Sequence, residues 1–446
     1  MKAEYKTLEH ITIESFQSDA EFRSSVVERH YRHVNRGLAR LARLLGTNVE
    51  VRSSGNYVFD ERGEKYLDCG GYGVFTLGHC HPFVVQAVKE QLERNPLSSR
   101  SLVNPEQANA AATLASVAPK GLDYVYFCNS GAEATEAGLK LACLNGKHKL
   151  ISMHGGYHGK TLGALSVTGR RSYREPFQVW LPDVTFVSFG DIDELEKAVS
   201  HDNEKACVIL EPVQAEGGVI VPPKGYLGEV ERLCRRYGAF FILDEIQTGL
   251  GRLGAWWGAD SERVAPDVLL VGKALSGGVV PIGAAVASAA AYEKLNRDPM
   301  LHTSTFSGNP LASVAAVAAI EVIKRENVVD LARVVGQRLL ALLKRLTAED
   351  CAHLIKDVRG EGLLLGIEFH KEFLAGDFLV EMLKRNVLVS YSLNAHRVVR
   401  LTPPAFLTDS DINWIQTAFR QSVISLRERY PKSFAPRGIS NASLGD

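Results

Sequence analysis

The chain has 446 residues and no net charge, with 51 Lys and Arg against 51 Asp and Glu. Its length exceeds that of one ordinary domain. Because positive and negative residues balance, the protein has no overall electrostatic field that would attract nucleic acid or an anionic membrane. The seven cysteines are scattered without a C-x-x-C pair. We therefore expect reduced thiols, no disulfide framework and no metal site, as in a cytoplasmic protein with small-molecule partners.

The first residues, MKAEYKTLEHITIESF, are charged and lack an apolar core, which argues against a signal peptide. The most apolar helical stretch, PLASVAAVAAIEVI, is interrupted by Glu321 well short of the roughly 18 apolar residues that a membrane span needs. The sequence therefore predicts no membrane association.

Taken in chain order, the pattern predicts charged helices first and then a hairpin, NYVFDERGEKYLDC, with a polar turn at Asp60 to Gly63. The central part repeats an apolar strand, a glycine-rich loop and a helix, which favours an α/β fold with a mostly parallel seven-stranded sheet between helices. Long amphipathic helices with few strands follow, and they predict a smaller α+β domain. The expected boundaries are 1–70 (N-terminal part of the small domain), 71–320 (large domain), 321–432 (C-terminal small domain) and 433–446 (disordered tail).

Three motifs suggest chemistry that their context does not support. GLGRLG, Gly249 to Gly254, matches a dinucleotide fingerprint, but no clear apolar helical pattern follows it. HGGYHGKT ends like a phosphate-binding P-loop, but His154 occupies the place of the first glycine. The two histidines of HCH, His79 and His81, lack a third ligand nearby in sequence, so a structural role is favoured over a metal site.

The segment NSGAEATEAGLKLA predicts a helix that begins after Ser130, with Gly131 and Ala132 in its first turn. Free N–H groups, the positive end of the helix dipole and two small residues suit a phosphate. A helix that is simply capped by its serine remains the alternative.

Two apolar strands end in charged residues. FFILDEIQTG places Asp244 and Glu245 at a strand end, where an ionised carboxylate needs a cation or hydrogen-bond donors. PDVLLVGKALSGG places Lys273 after what we predict to be the neighbouring strand, in register with Asp244. Lys273 is either a surface residue or a group directed into a site. An amine, a carboxylate and a phosphate site together predict pyridoxal phosphate as the cofactor.

Six motifs occur in one order along the chain: CNSGAEA, YHGKTLGALS, EPVQAEGGVIVPPKGYL, LDEIQTGLGRLG, GKALSGGVVPIGA and HTSTFSGNPLA. With them the sequence resembles the class III aminotransferases, pyridoxal-phosphate enzymes of the aspartate-aminotransferase-like fold. The resemblance runs from NYVFDERGEKYLDCGGYGVFTLGHCHP to VVRLTPP. Within the class, YHGKTLGALS, SGGVVPIGA and VLVSYSLNAHRVVRLTPP look most like putrescine and other diamine aminotransferases.

The resemblance implies a role for each position that matches a family motif. Lys273 is implied to form the covalent bond with pyridoxal phosphate and to act as general base, and Asp244 to pair with the pyridine nitrogen. The other cofactor contacts are implied for Gln247 at the phenolic oxygen, Tyr157 on the ring face with His158 beside it, and Ser130, Gly131 and Ala132 at the phosphate. Thr305 matches a threonine that binds the phosphate of the neighbouring subunit, which implies an obligate homodimer and leaves a tetramer open.

The resemblance also implies how one site accepts two substrates. Arg400 matches an arginine that binds the carboxylate of an oxo acid, and Glu216 matches a glutamate that pairs with it when no carboxylate is present; a fixed ion pair between domains is the alternative. Lys160 stands where ornithine and acetylornithine aminotransferases typically carry an arginine, which favours a donor without an α-carboxylate. The expected reaction is ping-pong transfer from putrescine or a related diamine or ω-amine to 2-oxoglutarate or pyruvate. The alternatives are amination of a long-chain or carrier-released aldehyde, and an ornithine, acetylornithine or 4-aminobutyrate aminotransferase.

Overall fold

The computed structural model describes residues 18–202 and 205–431, so the predicted tail at 433–446 lies outside the described residues. The helices are α1 (Asp19–His33), α2 (Arg36–Leu45), α3 (Pro82–Arg94), α4 (Pro105–Ala115), α5 (Gly131–Leu144), α6 (Leu162–Ser166), α7 (Arg171–Arg174), α8 (Ile192–Asp202), α9 (Tyr226–Tyr237), α10 (Ala289–Arg297), α11 (Pro310–Arg325), α12 (Val328–Asp350), α13 (Glu372–Leu383) and α14 (Asp409–Arg429). The strands are β1 (Glu50–Ser54), β2 (Tyr57–Asp60), β3 (Lys65–Asp68), β4 (Leu122–Cys128), β5 (Lys149–Met153), β6 (Val184–Val187), β7 (Ala206–Leu210), β8 (Phe240–Asp244), β9 (Val268–Val271), β10 (Gly283–Ser288), β11 (Ile355–Glu361), β12 (Leu364–Phe369), β13 (Val387–Leu388), β14 (Ser390–Ser392) and β15 (Ala395–Leu401).

The central sheet has seven strands in the order β4-β10-β9-β8-β7-β5-β6. β10 runs antiparallel to both of its neighbours, and the pairings among β9, β8, β7, β5 and β6 are parallel. Alternate residues of β8 belong to different apolar clusters, since Phe241 and Leu243 pack on one side and Phe240 and Ile242 on the other. A strand buried on both faces requires the continuous apolar run seen in the sequence. The predicted seven-stranded, mostly parallel sheet is confirmed.

Helices cover this sheet closely. A Cβ atom on Gly138 of α5 would lie 3.0 Å from the side chain of Leu270 on β9, so the glycine lets the helix approach the strand. α11 packs against α3 and α4, and its small residues Ala312, Ala315, Ala316 and Ala319 are buried. No helix within the described ranges is both long and apolar enough to cross a bilayer.

The described residues form two further sheets of four strands each. The first, β1-β2-β3-β13, joins the N-terminal hairpin to a strand from the C-terminal part of the chain, because β13 pairs in parallel with β3. The second, β11-β12-β15-β14, is antiparallel throughout and contacts α12 and α13. These sheets form the predicted smaller α+β part, and the class of fold is confirmed. The division at residues 70 and 320 stays a proposal.

Candidate active site

Polar side chains converge where five strands of the central sheet end. The segments after β4, β5, β7, β8 and β9 meet at one edge of the sheet, because the carboxyl ends of parallel strands lie together. They enclose a cavity of about 230 Å³. Its walls are formed by Gly131, Ala132, Tyr157, His158, Gly159, Lys160, Glu211, Asp244, Ile246, Gln247 and Lys273.

Lys273 lies just past β9, at the start of a 3-10 turn that extends to Ser276. Its φ of 44° falls in the left-handed region that residues other than glycine rarely adopt. β8 and β9 are neighbours, as predicted, but Asp244 pairs with Leu270 and not with Lys273. The predicted register is therefore wrong by three residues, because the lysine follows the strand. Burial lowers the pKa of the Lys273 amine, while the negative charges of Glu216 and Asp244 act in the opposite direction.

Asp244 is buried at the end of β8 and has a partner for each oxygen. One oxygen lies 2.7 Å from Nδ1 of His158, and the other accepts from the Ile246 N–H at 3.0 Å. Since a carboxylate only accepts, Nδ1 of His158 carries the proton. Nε2 of His158 is buried without a hydrogen-bond partner among the described residues. The sequence places His158 in the site but does not reveal its contact with Asp244.

Glu211 is a buried carboxyl group that the sequence analysis did not select. Its oxygens accept from the backbone N–H groups of Tyr157, at 2.9 Å, and Ala215, at 3.1 Å. Burial raises the pKa of Glu211 to about 7; the charge of His158 acts against this rise and that of Asp244 adds to it. The signal was available, because ACVILEP carries an acidic residue after an apolar strand as FFILDE does.

The start of α5 forms the second wall of the cavity. The Ser130 hydroxyl caps the helix and accepts from the Glu133 N–H at 3.2 Å. A Cβ atom on Gly131 would lie 3.0 Å from the Ile246 side chain, and one on Gly159 would lie 2.8 Å from Cβ of Ala132. The absence of these atoms keeps open a space that is bounded by free helix N–H groups, and such a space suits a phosphate. The serine cap, which was the alternative at this segment, is present as well.

Arg400 and Glu216 form a buried ion pair. Arg400 lies on β15, opposite Gly366 of β12 and Ser390 of β14. Its side chain is fully buried, and its Nη1 contacts one oxygen of Glu216. Nη1 is thus held by Glu216, while Nε and Nη2 have no hydrogen-bond partner among the described residues. Neither residue belongs to the cavity wall, but the charges of both act on the pKa of the Lys273 amine.

The remaining predicted residues differ in their surroundings. Nε2 of Gln247 is buried without a hydrogen-bond partner in the described part of the chain. Lys160 lines the cavity with an exposed side chain, and its Nζ lies 4.2 Å from the centre of the Tyr173 ring. Thr305 is exposed and does not line the cavity.

Two of the three misleading motifs, HCH and GLGRLG, have structural explanations. His79 lies 2.8 Å from Asp68, and His81 lies 3.1 Å from Glu326. Within residues 18–202 and 205–431, no three His, Cys, Asp or Glu side chains are arranged to hold a metal ion. Arg252, inside GLGRLG, is fully buried and donates to the carbonyl of Pro403 at 2.6 Å and to the Thr76 hydroxyl at 2.8 Å. The glycines therefore surround a buried arginine.

A family model for class III aminotransferases matches residues 44–423. The structure of the ornithine aminotransferase from Toxoplasma gondii ME49 is 32% identical, with a TM-score of 0.81 over 88% of this chain and 96% of that one. The chain is a class III aminotransferase. The family resemblance in the sequence is thereby confirmed. This aminotransferase transfers an amino group between an amine and a 2-oxo acid.

Two further solved structures resemble this aminotransferase equally well in fold. An (S)-enantioselective omega-transaminase from Thermomicrobium roseum is 28% identical, with a TM-score of 0.84 over 92% of this chain and 99% of that one. The adenosylmethionine-8-amino-7-oxononanoate aminotransferase from Methanocaldococcus jannaschii is 26% identical, with a TM-score of 0.83 over 90% and 99%. The cofactor of the class is pyridoxal phosphate, which the Toxoplasma gondii enzyme holds at its active site. The cofactor predicted from the sequence is confirmed.

Proposed function

We propose that this aminotransferase takes its amino group from putrescine or a related diamine or ω-amine and delivers it to a 2-oxo acid, 2-oxoglutarate or pyruvate. The observation that carries the proposal is the buried pair of Arg400 and Glu216 near Lys273. An arginine whose Nε and Nη2 have no hydrogen-bond partner among the described residues can bind a carboxylate in bidentate fashion. Glu216 neutralises that arginine while a substrate without a carboxylate occupies the site.

The residues around the cavity fit pyridoxal phosphate at several points. Lys273 supplies the amine that bonds the cofactor, and Asp244 supplies the carboxylate for the pyridine nitrogen. The unpartnered Nε2 of Gln247 is available for the phenolic oxygen. The phosphate is assigned to Ser130, Gly131 and Ala132, and the ring face to Tyr157. His158 holds Asp244 by the 2.7 Å contact.

Bound pyridoxal phosphate supplies an electron sink for charge that develops at the amine-bearing carbon of the substrate. The chain supplies the base. Because burial lowers the pKa of Lys273, its Nζ is neutral at a lower pH than an exposed lysine and can take the proton from that carbon. Asp244 stays close to its position during this step, since both of its oxygens are held by protein donors.

Lys160 supports a donor without an α-carboxylate. Arginine, the residue typical of ornithine and acetylornithine aminotransferases at this position, binds a carboxylate through two nitrogens, whereas lysine provides a point charge. Lys160 is exposed, and its ammonium group lies over the Tyr173 ring. These features favour an amine whose distal end carries no carboxylate.

The 32% identity to the Toxoplasma gondii ornithine aminotransferase favours a second candidate, an ornithine-type donor. Ornithine and putrescine differ by one α-carboxylate, so the two candidates make opposite predictions about the role of Lys160. If ornithine is the donor, Lys160→Ala weakens the binding of the donor. If putrescine is the donor, the same change leaves donor binding unchanged or improves it, because it removes a positive charge.

We also propose that the enzyme is a cytoplasmic homodimer. Two such dimers can form a tetramer without changing this assignment. Thr305 does not reach the cavity of its own chain and is exposed. This supports its assignment to the phosphate of a neighbouring subunit. The even overall charge and the free cysteines agree with the cytoplasmic location.

The test is the visible absorption spectrum of the enzyme loaded with pyridoxal phosphate, before and after the addition of putrescine without any oxo acid. We expect the band of the bound cofactor to decay to that of the pyridoxamine form and to return when 2-oxoglutarate or pyruvate is added. Ornithine and 4-aminobutyrate are compared in the same way. A spectrum that responds to ornithine and ignores putrescine would reject the diamine assignment in favour of the second candidate.

A further inference from the structure

The turn between β14 and β15, in the sheet β11-β12-β15-β14, is hydrogen-bonded to the loop that contains Glu216. The Asn394 amide donates to the carbonyls of Gly155, at 2.9 Å, and Gly156, at 3.0 Å. The Asn394 backbone N–H donates to the Glu216 carbonyl at 2.9 Å. Leu393 and Asn394, which we call the 393–394 turn, are thus fixed to two loops beside the cavity.

Glu216 is held by this turn as well as by Arg400. One of its carboxylate oxygens contacts the Arg400 guanidinium, and the other accepts from the Leu393 N–H at 2.8 Å. When the Glu216 side chain moves away from Arg400, it therefore also loses the Leu393 hydrogen bond. The position of that N–H helps to determine how much free energy is required to expose Arg400.

Two large side chains fix Leu393 from its other side. The Tyr173 hydroxyl donates to the Leu393 carbonyl at 3.0 Å, and Nη1 of Arg170 contacts the same oxygen. The Arg170 guanidinium also lies 4.9 Å from the centre of the Tyr173 ring. The Leu393 carbonyl thus has two donors, one of them charged, and charge-assisted bonds are the stronger kind.

We propose that Tyr173 and Arg170 are positioning residues that control how readily Glu216 releases Arg400, and thereby set the preference between a carboxylate substrate and an amine without a carboxylate. The inference rests on the proposed function of the Arg400–Glu216 pair. Neither residue contacts the pair directly in the described structure; both act through the Leu393 backbone. With the turn anchored, Glu216 stays on Arg400, and the site favours the amine. With the turn loosened, Arg400 is exposed more often, and the site favours the carboxylate.

Glutarate is the probe, because it has two carboxylates but no oxo group and so binds without reacting. Its Kd for the enzyme loaded with pyridoxal phosphate is measured by isothermal titration calorimetry. We expect Tyr173→Phe and Arg170→Gln each to lower the Kd by roughly three- to tenfold, the range that corresponds to one lost hydrogen bond. Tyr173→Phe keeps the ring that Lys160 and Arg170 contact. The matched control is Arg171→Gln, because Arg171 is exposed, pairs with Glu175 and does not contact Leu393.

A double-mutant cycle separates this role from a purely structural one. In a Glu216→Ala background the side chain that joins the Leu393 N–H to Arg400 is gone, so Tyr173→Phe should leave the glutarate Kd unchanged there. An equal effect of Tyr173→Phe in both backgrounds would overturn the inference. An unchanged or higher Kd in both Tyr173→Phe and Arg170→Gln would overturn it too, whatever the change in melting temperature.

Arg400→Gln distinguishes failure of this inference from failure of the proposed function. If Arg400 binds the carboxylate, Arg400→Gln weakens glutarate binding at least tenfold. If glutarate binds Arg400→Gln as it binds the unmodified enzyme, or fails to bind both the unmodified enzyme and Glu216→Ala, the carboxylate role of Arg400 is wrong and the inference falls with it. If Arg400→Gln weakens binding while Tyr173 and Arg170 have no effect, only the inference is wrong.

Discussion

Arg252 and Arg400 are both fully buried arginines, yet their surroundings differ. Arg252 has no ion pair among the described residues, but its terminal nitrogens donate to the carbonyls of Leu363, Pro403 and Gly73 and to the Thr76 hydroxyl, and only Nε lacks a partner. Arg400 has an ion pair between its Nη1 and Glu216, and its Nε and Nη2 have no hydrogen-bond partner in the described part of the chain. One arginine joins backbone segments, and the other keeps its donors available.

The same contrast appears between two neighbouring carboxyl groups. Glu245 does not line the cavity and accepts from the Thr248 hydroxyl at 2.5 Å and from the Ala259 N–H at 2.8 Å. Asp244 lines the cavity, next to a histidine whose Nε2 has no partner. A buried polar group that lacks partners costs free energy, so a set of such groups around one cavity indicates a ligand. A buried group such as Glu245, which does not line the cavity and has a hydrogen-bond donor for each oxygen, indicates a structural role.

The largest effect should follow removal of the amine that faces the cavity. We expect Lys273→Ala to lower kcat by about 10⁴-fold or more, because both the covalent attachment of the cofactor and the general base are lost. Stability should not fall, since burial disfavours the charged form of Lys273. Steady-state kinetics and thermal unfolding measure the two effects. Lys294→Ala, in the exposed part of α10, is the control with no expected change; turnover by Lys273→Ala would refute the assigned role.

The next prediction applies one substitution to both arginines. Lysine keeps the charge but has a single donor point, so Arg400→Lys should weaken glutarate binding by about 30-fold with little change in the free energy of unfolding. Arg252→Lys should lower the free energy of unfolding by about 2 kcal/mol, because one ammonium cannot reach the same set of carbonyls. Calorimetry and urea unfolding measure the two quantities. If both variants lost the same quantity, the distinction between a ligand arginine and a structural one would be wrong.

The sequence predicted the central sheet because strand burial on both faces leaves a direct mark, as in FFILD and VLLV. It also placed Asp244 and Lys273 on neighbouring strands, since consecutive strands of such sheets commonly pair. The register failed because a 3-10 turn, which has no apolar pattern of its own, separates Lys273 from its strand. The family motifs supplied the roles of the individual residues, and those roles stay predictions.

Contacts between distant segments left no mark that sequence patterns could show. The hydrogen bond between Leu393 and Glu216 uses a backbone N–H, which every residue except proline has. Tyr173 and Arg170 meet the 393–394 turn only after both parts have folded. Glu211 was missed although its position after an apolar strand resembles that of Asp244, because one acidic residue in a loop is also compatible with solvent exposure.

The smallest expected effect concerns Glu245, the buried carboxyl group that does not line the cavity. Burial raises its pKa from 4.5 to about 7, so the folded state holds the proton more tightly than the unfolded state does. The stability that comes from this proton is fully present below pH 4.5 and is lost as the pH rises towards 7. We expect Glu245→Gln to remove a slope of about 1 kcal/mol per pH unit from the free energy of unfolding over that range.

The measurement is urea unfolding at several pH values from about 5 to 8, with kcat determined alongside. Glu211, whose pKa burial also raises to about 7, lines the cavity, so Glu211→Gln should change both the pH slope and kcat. Glu245→Gln should change the slope alone, because its bonds to Thr248 and Ala259 lie outside the cavity. A pH slope that is the same with and without Glu245 would mean that this carboxyl group ionises normally. If Glu245→Gln lowered kcat as much as Glu211→Gln does, the distinction between a carboxyl group in the cavity and one outside it would be wrong.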